Sequence, residues 1–349
     1  MHPLEKKVLQ LIVSHNLIAS GQKVLVGVSA GPDSLAMLHL LHALSGRLAC
    51  ELAAAYVDHG LRPAETGAEW QLVQESAARL AIPARRGEAP VAVHAKSCGL
   101  SLEQAGRELR YRFLADTAGV LGTEVIAVAH TADDQAEELL LRLLRGTGRK
   151  GLAGMALFSR PNRQSPPVIR PLLTTTKAEI LAYLADRQIE FCEDSSNRDR
   201  RFLRNRVRLD LLPELAARFN PNIRETLRRT AAILQDEEDL LAALTESAWQ
   251  QAVVAERGGD ADGGPVGPEV ALDLKVIRDQ PRAIQRRLLE KALWAMGVSP
   301  DFRRIDQLLR GVLSPRGGEV AHLPGGVLAR KKGRILELRL ATGLGRPRP

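Results

Sequence analysis

The sequence contains few cysteines and few aromatic residues. Cysteine occurs three times in 349 residues, at Cys50, Cys98 and Cys192, and no two of these form a CxxC pair. This number and spacing exclude a disulfide-built fold and a CxxC metal or redox centre. Phe, Trp and Tyr together make up 3% of the residues. So low a content excludes a broad aromatic platform on which nucleic-acid bases could stack.

Long apolar runs are also absent from the sequence. The longest, at 24–28 and 139–144, are far shorter than the ~20 residues needed to cross a bilayer. The first 20 residues have neither the apolar core nor the small-residue cleavage site of a secretory signal. The sequence therefore predicts a cytoplasmic protein with no membrane-spanning segment.

The composition is typical of a globular chain with a sizeable core. Hydrophobic residues make up 45% and charged residues 26% of the sequence, which excludes wholesale disorder. The length of 349 residues predicts about two domains.

Positive charge is concentrated in two segments. The chain has 49 Lys and Arg against 41 Asp and Glu, a net charge of +8. Residues 198–229 carry a net +6 and residues 303–349 a net +8, whereas residues 230–302 carry a net −6. A basic surface can bind nucleic acid, an anionic membrane or nothing specific. Charge alone leaves these partners open.

Strand and helix patterns alternate in the first part of the chain. The predicted strands are 23–28, 50–59 and 123–130, and the predicted helices are 35–44, 64–80, 101–118 and 132–144. Such alternation is typical of βαβ units that form a doubly wound, mostly parallel sheet with helices on both faces. A further helix is predicted after Thr176, which forms a capping box with Glu179.

The second part of the chain is predicted to be mainly helical. Helical patterns cover 202–250, 281–296 and 300–312, and short apolar bursts between about 318 and 339 predict a few small strands. Five glycines and two prolines in residues 257–269 indicate a linker or long loop. We therefore expect an α/β domain at 1–215, followed at 216–349 by a mainly helical region with a small α+β C-terminal domain.

The turn SAGPDS at residues 29–34 connects the first predicted strand to the next helix. Its small residues, the hydroxyls of Ser29 and Ser34 and the amides at the helix start can all receive a phosphate. The alternative is an ordinary strand–helix turn capped by Asp33 or Ser34. Neither GxxxxGK[ST] nor GxGxxG occurs here, which excludes a Walker loop and a dinucleotide fingerprint.

SAGPDS resembles the SGGxDS loop of the PP-loop ATP pyrophosphatase superfamily. This resemblance implies that ATP is bound for attack at its α-phosphorus, which releases pyrophosphate and leaves an adenylated substrate. Ala30 stands where the superfamily usually has glycine. If the backbone there needs a positive φ, alanine costs about 1 kcal/mol or more.

Five further segments follow the loop. They are VDHGLR (57–62), ELRYRFL (108–114), AHTADDQAEELLLRLLRGTG (129–148), IRPLL (169–173) and EDSSNRDRRFLRNRVRLDLLPEL (193–215). Together and in this order they resemble the tRNA(Ile)-lysidine synthetase family over about residues 20–225. The C-terminal third is only loosely similar and resembles the family's shorter architecture. Glu138 stands where the family usually has threonine.

The resemblance assigns roles to residues of these segments. Catalysis is assigned to Asp33, Arg110 and Asp134. ATP binding is assigned to Ser29, Ala30, Gly31, Pro32, Asp33, Ser34, His59 and Arg107. Lysine or a metal ion is assigned to Asp133, Asp134 and Glu137. Contacts with tRNA are assigned to Asp194, Asn197, Arg201, Arg204, Asn205, Arg206 and Arg208. Mg²⁺ is expected to arrive with ATP, and its protein ligands are left open.

Each assignment has a plainer alternative. Asp133 and Asp134 begin a predicted helix, where acidic residues complement the helix dipole. Arg107 and Arg110 share a helix face that can simply be solvated, and 198–229 can be an ordinary basic helix. His59 can be a solvent-facing residue at a strand end.

The resemblance also implies an activity. It is the ATP-dependent ligation of free lysine to C2 of the wobble cytidine of tRNA(Ile) with a CAU anticodon, through an adenylated base, with release of AMP and pyrophosphate. The modified base reads AUA instead of AUG, and the tRNA changes identity from methionine to isoleucine. The alternatives are a PP-loop enzyme of tRNA 2-thiolation and a non-catalytic nucleotide- or RNA-binding protein. A homodimer is left open.

The resemblance also implies a role for the two basic segments. We expect 198–229 and 303–349 to hold one tRNA at two places, the first near the anticodon. Binding is then expected to weaken steeply with salt, because cations released from the phosphates drive it.

Overall fold

The computed structural model describes residues 1–60, 63–161, 165–192, 199–257 and 269–340. The chain divides into two compact units, Met1–Gln235 and Asp236–Pro349. Except for its two end residues, the Gly- and Pro-rich segment 257–269 lies outside the described residues.

The first unit contains a six-stranded sheet. Its strands are β1 Lys23–Val28, β2 Glu51–Asp58, β3 Ala84–Glu88, β4 Val125–Ala127, β5 Phe158–Ser159 and β6 Val168–Ile169. The strand order is β3-β2-β1-β4-β6-β5. All neighbouring pairs are parallel except β5 with β6. This is the mostly parallel sheet that the strand–helix alternation predicted.

Helices connect these strands and extend beyond them. They are α1 Pro3–Ser14, α2 Pro32–Leu48, α3 Pro63–Arg79, α4 Val91–Cys98, α5 Leu102–Leu121, α6 Ala132–Arg145, α7 Arg149–Leu152, α8 Lys177–Asp186, α9 Leu203–Arg206, α10 Leu212–Arg218 and α11 Ile223–Ala252. A π-helical turn, Val207–Leu211, joins α9 to α10. The long helix α11 begins in the first unit and ends in the second.

The sheet is buried on both faces because successive strand residues point to opposite sides. Val24 and Val26 of β1 pack in a core that also contains residues of α1, α2 and α8. Leu25, between them, packs in a second core with Leu114 of α5 and Ile126 of β4. The first unit is therefore doubly wound, and the predicted fold class is confirmed.

The second unit is a small α+β domain. Its helices after α11 are α12 Leu274–Asp279, α13 Arg282–Ala295 and α14 Phe302–Leu313. Its strands are β7 Val253–Arg257, β8 Glu269–Asp273, β9 Gly318–Leu323, β10 Val327–Lys332 and β11 Ile335–Leu340. They form an antiparallel sheet in the order β7-β8-β11-β10-β9. Across the described ranges, no helix is both long and apolar enough to cross a membrane.

Several elements differ from the sequence predictions, among them β3, β4 and the helices after residue 202. The strand β3 has the sequence ARRGE and was not predicted, because an exposed edge strand carries no apolar alternation. The strand predicted at 123–130 is regular only over Val125–Ala127. The helical pattern predicted over 202–250 is present, and the structure divides it into α9, the π-helical turn, α10 and α11, with Pro221 between α10 and α11.

The edge strand β3 suggests a test of the packing. A Cβ added to Gly87 would overlap the ring of Phe113 on α5. We expect Gly87→Ala to lower the free energy of unfolding by about 1–3 kcal/mol, because the ring must move. The control is Gly67→Ala in α3, whose added methyl meets open space and should stabilise the helix slightly. Urea unfolding measures both variants, and equal stabilities would contradict this packing.

Candidate active site at the carboxyl edge of the sheet

The turn after β1 is a compact loop closed by two serines. The backbone N–H of Ser29 donates to Ser34 Oγ at 3.0 Å, and the Ser34 hydroxyl donates to the carbonyl of Gly31 at 3.0 Å. Gly31 is the N-cap of α2, and no side chain in the described structure caps this helix. The first-turn amides of α2 are therefore available to an anion, which fits a phosphate.

Ala30 occupies a strained position in this loop. Its φ is +58°, in the left-handed region, and its side chain is fully buried. The sequence left open whether residue 30 needs a positive φ, and the structure has one there. Alanine at such a φ costs about 1–2 kcal/mol. The Ala30 carbonyl accepts a hydrogen bond from the backbone N–H of Cys192 at 3.0 Å, which holds the loop from the segment after α8.

Asp33 of the loop is bound by a lysine from a distant part of the chain. Lys177 Nζ lies 2.9 Å from each carboxylate oxygen of Asp33. The backbone N–H of Lys177 also donates to Asp133 Oδ2 at 2.8 Å, and Asp133 Oδ1 lies 3.2 Å from Arg224 Nη1. Burial raises the pKa of Asp33 above its usual value, and Lys177 opposes this effect.

Asp134 and Glu137 form a second charged cluster with two arginines. Arg204 Nη2 lies 2.9 Å from Asp134 Oδ1, and Arg204 Nε lies 3.2 Å from Glu137 Oε2. Arg208 Nε lies 2.6 Å from Glu137 Oε1, and its Nη2 lies 3.3 Å from Asp134 Oδ1. We call these four residues the charged cluster. It ties α6 to the basic segment that begins at α9.

The charged cluster is buried and begins at a helix cap. Thr131 is the N-cap of α6 and forms a capping box with Asp134. Although burial opposes the ionised form, Arg204 and the Thr131 amide hold the pKa of Asp134 below its usual value. Only 1% of the Glu137 surface is exposed. Both carboxylates are thus compensated by arginines that the sequence assigned to tRNA.

Several arginines and one histidine lie near the charged cluster. Arg170 is buried and donates from Nη1 to the Ala156 carbonyl at 2.8 Å. The guanidinium of Arg107 lies 5.2 Å from the centre of the Tyr111 ring. Burial lowers the pKa of His130 to about 3, and the nearby arginines act in the same direction. His130 is therefore neutral at pH 7.

Arg110 is another of these arginines. It is close enough to Asp134 and Arg204 for their charges to interact with its own. Arg107 and Arg110, which the sequence placed on one helix face, thus lie beside tyrosine, arginine and carboxylate side chains at the carboxyl edge of the sheet. Developing negative charge at this edge would meet several guanidinium groups.

The remaining predicted residues lie at different places. His59 follows the end of β2, where Asp58 fixes the turn by accepting from the Gly60 N–H at 2.8 Å. Asn205 is buried and donates to the carbonyl of Asp199 at 2.9 Å.

Two other cations assigned to tRNA are both exposed. Arg201 forms an ion pair with Asp199, and Arg206 lies on α9. Asp194 and Asn197 lie outside the described residues.

Glu138, which departs from the family pattern, supports the adjacent loop. Its carboxylate lies 2.7 Å from Arg142 Nε, and Arg142 Nη1 donates to the carbonyls of Gly151 and Gly154 at 2.9 and 2.8 Å. The glutamate therefore orients an arginine that holds the segment after α6.

Sequence reasoning missed Lys177, Arg170 and Arg224. Lys177 is 144 residues from Asp33 and Arg224 is 91 residues from Asp133. Arg170, in contrast, contacts the Ala156 carbonyl only 14 residues before it. For Lys177, the predicted capping box at Thr176 was a signal, because it places this residue in the first turn of α8. Arg170 lies in the motif segment IRPLL (169–173) and Arg224 in the basic segment 198–229, so both segments were noticed although neither residue was assigned a role.

The fold and the loop define the class of this protein. Residues 1–215 match the profile of the PP-loop domain, described as ATP_bind_3. Among solved structures, the U34-tRNA thiolase NcsA from Methanococcus maripaludis has a similar fold, with a TM-score of 0.55 and 19% identity over 67% of this chain and 78% of that one. The first unit is thus a PP-loop ATP-binding domain.

A second profile and the curated relatives define the family. Residues 272–336 match the TilS substrate binding domain. The tRNA(Ile)-lysidine synthase of Nostoc sp. is 30% identical over 96% of both chains, and that of Synechococcus sp. is 33% identical over 92% of both. The chain belongs to the tRNA(Ile)-lysidine synthase family, as its motifs predicted.

Some relatives are longer than this chain. The tRNA(Ile)-lysidine synthase of Geobacter sulfurreducens is 39% identical over 93% of this chain, which corresponds to 66% of that relative. The chain therefore spans about two thirds of the length of this relative and nearly all of the two cyanobacterial ones.

The charged cluster predicts how stability depends on pH. Because the folded-state pKa of Asp134 lies below its usual value of 3.8, the ionised group stabilises the fold above that pH. This contribution is lost as the pH falls through the folded-state pKa. We expect Asp134→Asn to cost about 3 kcal/mol at pH 7, because it leaves buried guanidinium charge uncompensated.

Urea unfolding at pH 7 and at pH 3 measures this dependence. The loss of stability between the two pH values should be smaller in Asp134→Asn than in the unsubstituted chain. Asp116→Asn, at an exposed position on α5, is the control and should leave the acid dependence unchanged. An equally steep loss in Asp134→Asn would contradict a stabilising, ionised Asp134.

Proposed function

We propose that this chain forms lysidine on tRNA(Ile), the activity that its family's name describes. The observation that carries the proposal is that an uncapped helix start at the PP-loop, a carboxylate cluster and several guanidinium groups belong to one edge of one sheet. In open α/β sheets, ligands bind at the carboxyl ends of the strands.

The first step activates the wobble cytidine with ATP. Its O2 attacks the α-phosphorus, a bond to the base forms, and the bond to the leaving pyrophosphate breaks. The amides at the start of α2 and the hydroxyls of Ser29 and Ser34 suit the phosphates. Arg107 and Arg110 would offset the charge that develops on pyrophosphate.

Mg²⁺ would enter this site with the phosphates. Within the described ranges, no three His, Cys, Asp or Glu side chains come together as metal ligands. The ion would therefore take phosphate oxygens for part of its coordination, with Asp33 as the carboxylate of the loop. Bound there, it would neutralise charge on the reacting phosphate.

The second step joins lysine to the activated base. The ε-amine attacks C2, a carbon–nitrogen bond forms, and AMP leaves with the electrons of the broken carbon–oxygen bond. We assign recognition of the amino acid to the acidic residues Asp133, Asp134 and Glu137. In the described structure Asp133 contacts the guanidinium of Arg224, and Asp134 and Glu137 contact those of Arg204 and Arg208. These carboxylates thus bind cationic groups, which supports binding of an ammonium group.

The tRNA partner is proposed to be tRNA(Ile) with a CAU anticodon. The exposed cations after α8 would contact the anticodon region, where the target base must leave its stack to be modified. The basic segment 303–349 would provide a second contact with the same tRNA. A cytoplasmic location belongs to this proposal, and a homodimer stays a prediction.

Lysine incorporation tests the proposed function directly. Purified protein is incubated with ATP, labelled lysine and tRNA(Ile) bearing the CAU anticodon, and label in tRNA is measured with AMP release. We expect lysine-dependent incorporation, and Asp33→Asn should reduce it by about 100-fold or more because the loop loses its carboxylate. The affinity of this variant for tRNA should stay within about twofold. Tight tRNA binding without incorporation by the unsubstituted chain would favour the non-catalytic alternative.

The basic segment yields a separate prediction about tRNA binding. Arg206 is exposed, whereas Arg204 is held in the charged cluster. We expect Arg206→Ala to weaken tRNA binding and to reduce the slope of log affinity against log salt by about one, because one phosphate contact is lost. Thermal stability should be unchanged.

Arg204→Ala is the comparison for this variant. It should lower thermal stability, because it removes a partner of buried carboxylates. Unchanged affinity and salt slope in Arg206→Ala would show that this residue does not contact tRNA.

A further inference from the structure

The amino terminus of α8 lies against the PP-loop, and Lys177 is the first residue of this helix. The ammonium group of Lys177 contacts both oxygens of Asp33 at 2.9 Å, and its backbone N–H contacts Asp133. One residue therefore reaches the loop carboxylate with its side chain and the first turn of α6 with its main chain.

The main chain around Lys177 is fixed by its neighbours. Thr176 is the N-cap of α8 and forms a capping box with Glu179. The Thr175 carbonyl accepts a hydrogen bond from the Ala132 N–H at 2.9 Å, which joins the starts of α8 and α6. These hydrogen bonds hold the main chain at Lys177 in place. The Lys177 side chain therefore approaches Asp33 from a defined direction.

This contact contributes little to folding. The side chains of Lys177 and Asp33 are 42% and 28% exposed, so water partly screens the pair and its contribution to stability is modest. Holding the long lysine side chain in one conformation also has an entropic cost. Because the Lys177–Asp33 pair stabilises the fold so little, its main physical effect is on the orientation of the Asp33 carboxylate.

Orientation matters for a carboxylate beside a reacting phosphate. A free aspartate on the first turn of α2 can rotate, whereas one held symmetrically through both oxygens has one orientation. Misplacement of a reacting group by about 1 Å can cost a factor of about 100 in rate. The symmetric contact with Lys177 thus fixes the orientation of the Asp33 carboxylate, which adenylation of a substrate at this loop requires.

We propose that Lys177 is a positioning residue, which fixes the carboxylate of Asp33 at the mouth of the PP-loop so that ATP meets it in one orientation. This inference rests on the proposed function. Lys177 acts through Asp33 and not on the reacting atoms. Its replacement should therefore affect the rate of turnover more than the affinity for tRNA.

The test compares three variants of the full chain. Lys177→Met removes the ammonium group but keeps a long side chain, and Lys177→Arg restores a cation that can contact both carboxylate oxygens. The matched control is Lys7→Met. Lys7 forms an ion pair of 2.7 Å with Glu179 in the first turn of the same helix and, across the residues that the structure describes, forms none with Asp33. Steady-state lysine incorporation gives kcat and the KM for ATP, filter binding gives tRNA affinity, and thermal unfolding gives Tm.

We expect Lys177→Met to lower kcat by about 100-fold, with tRNA affinity within twofold and Tm within the change seen for Lys7→Met. Lys177→Arg should recover at least about a tenth of the kcat of the unsubstituted chain, and Lys7→Met should keep nearly all of it. A merely structural role would lower kcat and Tm together, so recovery of kcat by arginine at an unchanged Tm would not follow from it.

Two results would overturn the inference. One is a kcat within about threefold of the unsubstituted value in Lys177→Met, and the other is a loss of kcat that follows Tm equally in Lys177→Met and Lys7→Met. If the unsubstituted chain itself incorporates no lysine, the proposed function fails instead. The assay of the unsubstituted chain therefore distinguishes a failure of this inference from a failure of the proposed function.

Discussion

A carboxylate that is almost fully removed from water must have positive charge beside it, and Glu137 is such a group. Arg204 and Arg208 supply this charge and contact Asp134 at the same time. Because Arg204 lies on α9 and Arg208 in the π-helical turn, the pairing fixes the start of the basic segment on α6. Apolar contacts of Leu140 and its neighbours continue the same interface.

The same need to compensate carboxylates with cations applies at the carboxyl edge of the sheet. The starts of α2, α6 and α8 approach one another there through Lys177, Asp33 and Asp133. The start of α2 has no side-chain cap and favours an anion, whereas α6 and α8 begin at capping boxes. Asp33 and Asp133 are compensated by Lys177 and Arg224. Positive and negative groups therefore alternate over a short distance. Such an edge can hold a phosphate and an ammonium group in neighbouring places without a large net charge.

Local signals predicted the central fold well. The apolar run of β1, the SAGPDS turn and the amphipathic α6 each depend on neighbouring residues, and the structure contains all three. The capping box at Thr176 is a further case. Sequence reasoning failed for β3, because its strand character comes from backbone pairing with β2 and not from its side chains.

The candidate site was predictable in its residue types but not in its pairings. Asp134 and Arg204 were both singled out, one for lysine or metal and the other for tRNA, yet they contact each other across 70 residues of sequence. The partner of Asp33 is equally remote. Ala30 shows the same limit, because its positive φ follows from how the loop closes and alanine itself gives no sign of it.

We propose that ATP is bound where the PP-loop, Lys177 and the charged cluster meet. A crystal structure with a non-hydrolysable ATP analogue tests this proposal most directly. We expect phosphate oxygens within hydrogen-bond distance of the N–H groups of Gly31, Asp33 and Ser34, with Arg107 or Arg110 on the same side. Phosphates bound elsewhere, with the loop amides contacting only water, would contradict it.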